Sequence, residues 1–218
     1  MAYQKKTSQK RGATLSQLNS DLQTQILNYK NMAGRQVSLI GIKRIFYGEP
    51  LTSIITPYVN GDASTGLSAD ELKTWLATAK EVSNVHQDTW GYERTEPTIT
   101  KYKNQLTKKV YRQSVDDAGE ATISFSVGKY DFQTKADLEG GGATDGKYSA
   151  PVGFEELVKM VVGLTEDDVY IVFPKANMVT NGTTTDDAIA LAVAATPMEP
   201  DIAIESEVLF DKSAIDAA

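Results

Sequence analysis

The sequence predicts a mainly β, or α+β, chain: an antiparallel β-sandwich with two or three short helices and an extended amino-terminal arm. Three observations carry this reading. Short β-branched and aromatic runs recur along the chain, separated by glycine, asparagine and aspartate turns. One of them, Ala121–Val127, alternates strictly between apolar and polar residues. The helical stretches do not alternate regularly with the strands, as a doubly wound sheet would require.

Taken in order, residues 1–13 are polar, basic and without apolar periodicity, and read as an arm. Leu15, Leu18, Leu22 and Ile26 then recur at spacings of three and four in a Gln/Ser/Asn-rich background. That thin stripe predicts a helix lying on another surface, with Thr14 or Ser16 as its cap and an end near Gly34. Residues 1–35 form this amino-terminal segment, and 36–218 the sandwich domain. Gln36–Tyr47 reads as a strand with two fairly apolar faces, stopped by Gly48–Pro50. Ser68-Ala69-Asp70-Glu71 fits the capping box S-x-x-E ahead of Leu72, Trp75 and Leu76, which places a helical insertion over 68–80.

Pro97–Lys103 and Leu106–Gln113 flank Asn104-Gln105 as a hairpin, and Asp116–Gly119 is a turn. In Ala121–Val127 the alternation sends Ile123, Phe125 and Val127 to a core and Thr122, Ser124 and Ser126 to a hydrated surface. Glu139–Tyr148 is glycine-rich and acidic, and reads as a flexible loop. Phe154, Leu157, Val158 and Val161 recur at helical spacing up to Gly163. Val169–Pro174, Ala188–Ala194 and Ile202–Phe210 close the chain as strands.

Composition removes much of the usual enzyme repertoire. Among 218 residues there is no cysteine and one histidine, His86. Thiolate chemistry and disulfides are therefore excluded, a zinc site is not expected, and any Ser-His-Asp triad must pass through His86. Hydrophobic residues at 41% and charged residues at 23% are ordinary globular values, so wholesale disorder is not expected. No apolar run approaches the roughly 18 residues of a membrane span, and no apolar stretch follows the basic start, so the expectation is a soluble, unprocessed chain.

The motifs point the same way. Gly141-Gly142-Ala143-Thr144-Asp145-Gly146-Lys147-Tyr148 has phosphate-loop spacing, but Tyr148 stands where Ser or Thr would hold magnesium, and Asp145 would repel phosphate. Carboxylates are adjacent at Asp116/Asp117, Glu155/Glu156, Asp167/Asp168 and Asp186/Asp187. Neighbours on a strand point to opposite faces, so adjacency alone builds no acid/base pair. Asn181-Gly182-Thr183 is a glycosylation sequon without a secretory signal. The expectation is no catalytic residue, no cofactor and no metal.

Charge is distributed unevenly. Residues 1–50 carry eight basic and two acidic groups, whereas residues 116–218 carry six basic and twenty acidic groups. Opposite-signed ends steer copies of a chain toward one another. Specific nucleic-acid recognition is disfavoured, since the basic cluster of Lys5, Lys6, Lys10 and Arg11 is small and lacks an aromatic ladder.

The stretch Ala121–Asp131 (ATISFSVGKYD), followed by Thr134–Gly141 (TKADLEGG), resembles the central hairpin of bacteriophage tail tube (major tail) proteins. Val169–Ala176 (VYIVFPKA) and Ala188–Pro197 (AIALAVAATP) resemble that family's carboxy-terminal strands. The likeness covers residues 95–210. The amino-terminal helix and the 68–80 insertion are not matched to it. It implies a non-enzymatic virion protein, made in the host bacterial cytoplasm. Its copies would form hexameric rings of β-sandwiches that stack into a tube for DNA passage without specific binding. Its partners would be itself and other tail or connector proteins, with no membrane. Lys5, Lys6, Lys10, Arg11, Leu15, Leu18, Leu22 and Ile26 become inter-subunit candidates, and Thr122, Ser124 and Ser126 lumen-facing candidates. The alternatives are a head–tail connector or tail terminator that stops at one ring and, from another class, a carboxylate-dependent hydrolase.

Overall fold

A capping box and a run of paired strands organise the chain. A computed structural model describes residues 38–153, 155–185 and 188–218. The expectations for residues 1–37, for Phe154 and for Asp186/Asp187 lie outside the described residues. The chain is mostly β, with antiparallel sheets and a few short helices. Its elements are β1 (Arg44–Gly48), α1 (Ala69–Leu76), β2 (Lys80–Glu81), β3 (Gly91–Arg94), β4 (Thr98–Lys103), β5 (Val110–Asp117) and β6 (Ala121–Val127). Next come α2 (Phe132–Glu139), β7 (Gly142–Thr144), β8 (Lys147–Ser149), β9 (Leu157–Leu164), β10 (Val169–Thr185), β11 (Ala188–Pro197), β12 (Val208–Asp211) and α3 (Lys212–Ala217).

The main sheet has the order β2-β1-β9-β10-β11-β6-β3, with β12 also on β10. It cannot be flat. Glu81 of β2 pairs with Phe46 of β1, and only four residues later Val85 bridges Val127 of β6 at the far side of the sheet. Six strand spacings would separate β2 from β3 by about 29 Å in a flat sheet. Four residues span at most about 14 Å. The sheet therefore curls until its two ends approach one another.

Two cores result. Ile45, Tyr47, Val161, Ile171 and Phe173 join Ile123, Phe125, Val127, Leu191 and Val193 in the first. Alternate residues of the same strands, Phe46, Met160, Val162 and Val172, face the second, which Leu72 and Trp75 of α1 and Ile215 of α3 cover. Each large side chain taken fully out of water contributes about 1.5–3 kcal/mol.

β10 bends between its halves. Val169–Val172 pair with β12 and Ala176–Thr185 with β11, and the register against β9 shifts between Phe173 and Ala176. Pro174 sits at that irregularity, where its missing N–H interrupts no ladder bond.

Several expectations hold. β6 has the expected bounds and its three core residues are buried. Ser68 caps α1 through a full capping box with Glu71. Others are corrected. Leu157–Leu164 is a strand and not a helix, because both its faces are covered and its apolar residues need not alternate. The strand expected from Gln36 begins only at Arg44, since Leu39 and Gly41 have φ of 52° and 60°, which extended backbone cannot accommodate. After β6 comes a helix and not the second strand of a hairpin, with the Asp131 carboxylate accepting the Thr134 N–H (2.7 Å) as cap. The Glu139–Tyr148 stretch holds the end of α2 and the β7–β8 hairpin, closed by the two residues Asp145-Gly146. Ile202–Phe210 is extended only from Val208, and the terminal α3 is an element that no sequence pattern announces.

Candidate assembly surface

The β4–β5 hairpin has no third strand among the described residues. Thirteen of its fourteen strand residues are exposed. A two-stranded ribbon is at best marginally stable alone in water, and gains most from a surface to lie on. Its apolar side chains are Ile99, Tyr102, Leu106, Val110, Tyr111 and Val115, with Leu106 92% exposed. Ile99 stands opposite Val115, and Tyr102 opposite Arg112, whose guanidinium lies 5.5 Å from the ring centre. Residues 98–115 carry five basic groups and no acidic one.

The turn differs from the one expected. It runs from Asn104 to Lys109, and β5 begins at Val110, so Leu106 lies in the loop and not in a strand. The Asn104 carboxamide oxygen accepts the Leu106 and Thr107 N–H groups at 2.8 and 3.0 Å. The Asn104 N–H donates to the Lys109 carbonyl at 2.8 Å. These bonds fix the tip and present Leu106 outward.

Sheet edges are the second candidate feature. β9 stops pairing with β10 at Met178, so beyond it one edge of β10 has no strand partner among the described residues. The outer edges of β2 and β3 are likewise open there. On the β3 side, Tyr92 and Arg94 both bind the Glu207 carboxylate, and burial together with that carboxylate raises the Tyr92 phenol.

The structure gives the chemical candidates the following partners. Tyr148, in the phosphate-loop-like sequence, donates to the Gly140 carbonyl (3.1 Å), and its ring lies 4.9 Å from the Lys135 ammonium. No helix follows that loop, so there is no anion-binding helix start. Each described carboxylate pair is tied to backbone or to a neighbour. Asp167 accepts the Leu39 N–H at 3.1 Å, and Asp168 pairs with Lys43 at 2.8 Å. Asp117 accepts the Gly119 N–H at 2.9 Å, and Glu155 that of Gly141 at 3.0 Å. His86 donates its backbone N–H to the Ser126 carbonyl (2.7 Å), and its Nδ1 lies 3.0 Å from the Gln87 carbonyl.

A cleft of about 620 Å³ beside His86 and Trp90 contains Arg44 and Glu81, joined by two bonds of 2.7 and 2.6 Å. That pairing raises the guanidinium and lowers the carboxylate. Tyr47 is raised by burial and by Asp137, which also binds Lys80. This is a packed polar link between β1, β2 and α2. No group of three or more potential metal-ligating side chains occurs among the described residues.

Thr122 and Ser124 are half-buried on β6. Ser126 is buried at 7%, a correction to its expected water-facing position. The His86–Thr89 segment crosses there, and the Thr89 hydroxyl accepts the Ser126 N–H at 3.0 Å. Lys5, Lys6, Lys10, Arg11, Leu15, Leu18, Leu22 and Ile26 lie outside the described residues. Sequence reasoning finds the hairpin but not its solitude. The available signal is the scatter of Lys and Arg over both its faces.

No protein-family model matches the chain, and no curated protein matches it.

Proposed function

We propose that this chain is a non-enzymatic structural subunit of a phage tail tube, an antiparallel β-sandwich whose copies assemble into stacked, hexameric rings around a channel for DNA. The single observation that carries the assembly reading is the β4–β5 hairpin: apolar, basic and without a third strand of its own among the described residues. The open edge of β10 and the acidic carboxy-terminal half support it, since edges invite strand addition and opposite charges guide copies together. Acidic groups facing the channel would keep the duplex from adhering. The tail-tube assignment itself rests on the sequence resemblance over residues 95–210. The subunit works in the virion, with itself and other tail or connector proteins as partners.

Light scattering after gel filtration, with negative-stain electron microscopy, tests this. Stacked tubes are expected. Single rings that never stack would favour a connector or terminator, and a monomer at all concentrations would overturn self-assembly altogether.

A further inference from the structure

We propose that the hairpin tip of one copy seats Leu106 in an apolar groove beside α1 of a second copy. The inference rests on the self-assembly reading and names the two surfaces that meet. The groove is about 360 Å³ and is lined by Leu51, Ile55, Asp70, Thr74, Trp75 and Thr78. Its shape is fixed from behind. The Trp75 indole N–H donates to the Glu49 carbonyl at 2.9 Å, and the Ile55 N–H donates to the Glu71 carboxylate at 2.7 Å. Ile55, at the rim, is 81% exposed.

The tip is fixed as well, by the bonds to Asn104, so little freedom is lost when it docks. Charge selects the occupant. Lys108 and Lys109 follow Leu106 closely, while Asp70 and Glu71 stand at the groove. An aliphatic side chain flanked by ammonium groups thus matches an apolar slot flanked by carboxylates. The two surfaces lie on different parts of the chain, so the contact can repeat head-to-tail from copy to copy, as a ring or a stack requires.

Because the chain has no cysteine, paired substitutions report the contact cleanly. Copies carrying Leu106→Cys mixed with copies carrying Thr74→Cys should give a disulfide-linked pair, whereas Leu106→Cys with the distant Ile189→Cys should not. Leu106→Asp should raise the concentration for half-assembly about tenfold or more, and Lys108→Glu/Lys109→Glu should be rescued in part by Asp70→Lys. If oligomers form but Leu106→Cys couples to Ile189→Cys and not to Thr74→Cys, the docking inference fails while self-assembly stands. A disulfide within one dilute chain carrying Leu22→Cys and Thr74→Cys would give the groove to the amino-terminal stripe and overturn it. So would tight binding of a labelled random-sequence DNA duplex that Lys108→Glu/Lys109→Glu abolishes without changing oligomeric state. Absence of any assembly would bring down both the self-assembly reading and the docking contact.

Discussion

The β9–β10 pair and the β4–β5 pair are built from the same kinds of residue, yet they live in opposite environments. Val161, Val162, Ile171, Val172 and Phe173 are all fully buried, whereas Ile99, Val110, Tyr111 and Val115 are between 42% and 70% exposed. Strand propensity is a preference for a pleated, partly covered surface, and it says nothing about who supplies the cover. In β9 and β10 the chain covers itself from two sides. In the hairpin no third strand among the described residues supplies that cover, and Lys101, Lys103 and Arg112 are interleaved with its apolar side chains.

The contrast can be broken or sharpened by substitution. Phe125→Ala, in the self-covered region, should cost about 3–5 kcal/mol of unfolding free energy, measured by denaturant titration. A loss below about 1 kcal/mol would mean that the first core is loosely packed. Gly163→Ala on β9 comes next. A Cβ there would stand 2.8 Å from the Trp90 ring and 3.3 Å from Ile42. Overpacking of that kind should cost about 1–3 kcal/mol and lower the melting temperature. Ser68→Ala removes the α1 cap and should cost about 1 kcal/mol; an unchanged melting temperature would show the capping box to be idle.

The Arg44–Glu81 pair, half-exposed on both sides, ranks lower. Its carboxylate is held below the ordinary value, so its contribution is present above about pH 4 and lost as pH falls through the folded-state value. Glu81→Gln should therefore flatten the acid limb of a stability–pH curve, and an unaltered limb would count against the pairing. Smallest of all, Tyr111→Ser or Leu106→Ser in the hairpin should change monomer stability by less than about 0.5 kcal/mol, while strongly reducing assembly. A large destabilisation would show that the hairpin leans on its own chain after all.

Legibility in the sequence tracks coverage. Ala121–Val127 alternates because one face meets the core, so its bounds and its core residues are readable directly. Leu157–Leu164 buries both faces, its alternation disappears, and the residual spacing of Leu157, Val158 and Val161 imitates a helix. The distal half of β10 is polar, with Thr183, Thr184 and Thr185 in succession, and only its ladder with β11 shows it to be a strand. α3 is six residues long and too short to display a period. At the candidate site, the hairpin and its turn region are written in local chemistry. The groove beside α1 is not, because Leu51, Ile55 and Trp75 converge only through tertiary packing. The burial of Ser126 is hidden for a similar reason, since a loop from elsewhere in the chain covers it.

β1, β9 and β10 present alternate side chains to both cores. Removing either core would leave the shared strands half naked in water, so the two cores are expected to melt together. The body should thus yield all at once, a fuse with one rating and no intermediate setting. Under the proposed tube reading, that abruptness would be a mechanical virtue: a wall that stays stiff up to its limit and does not soften gradually.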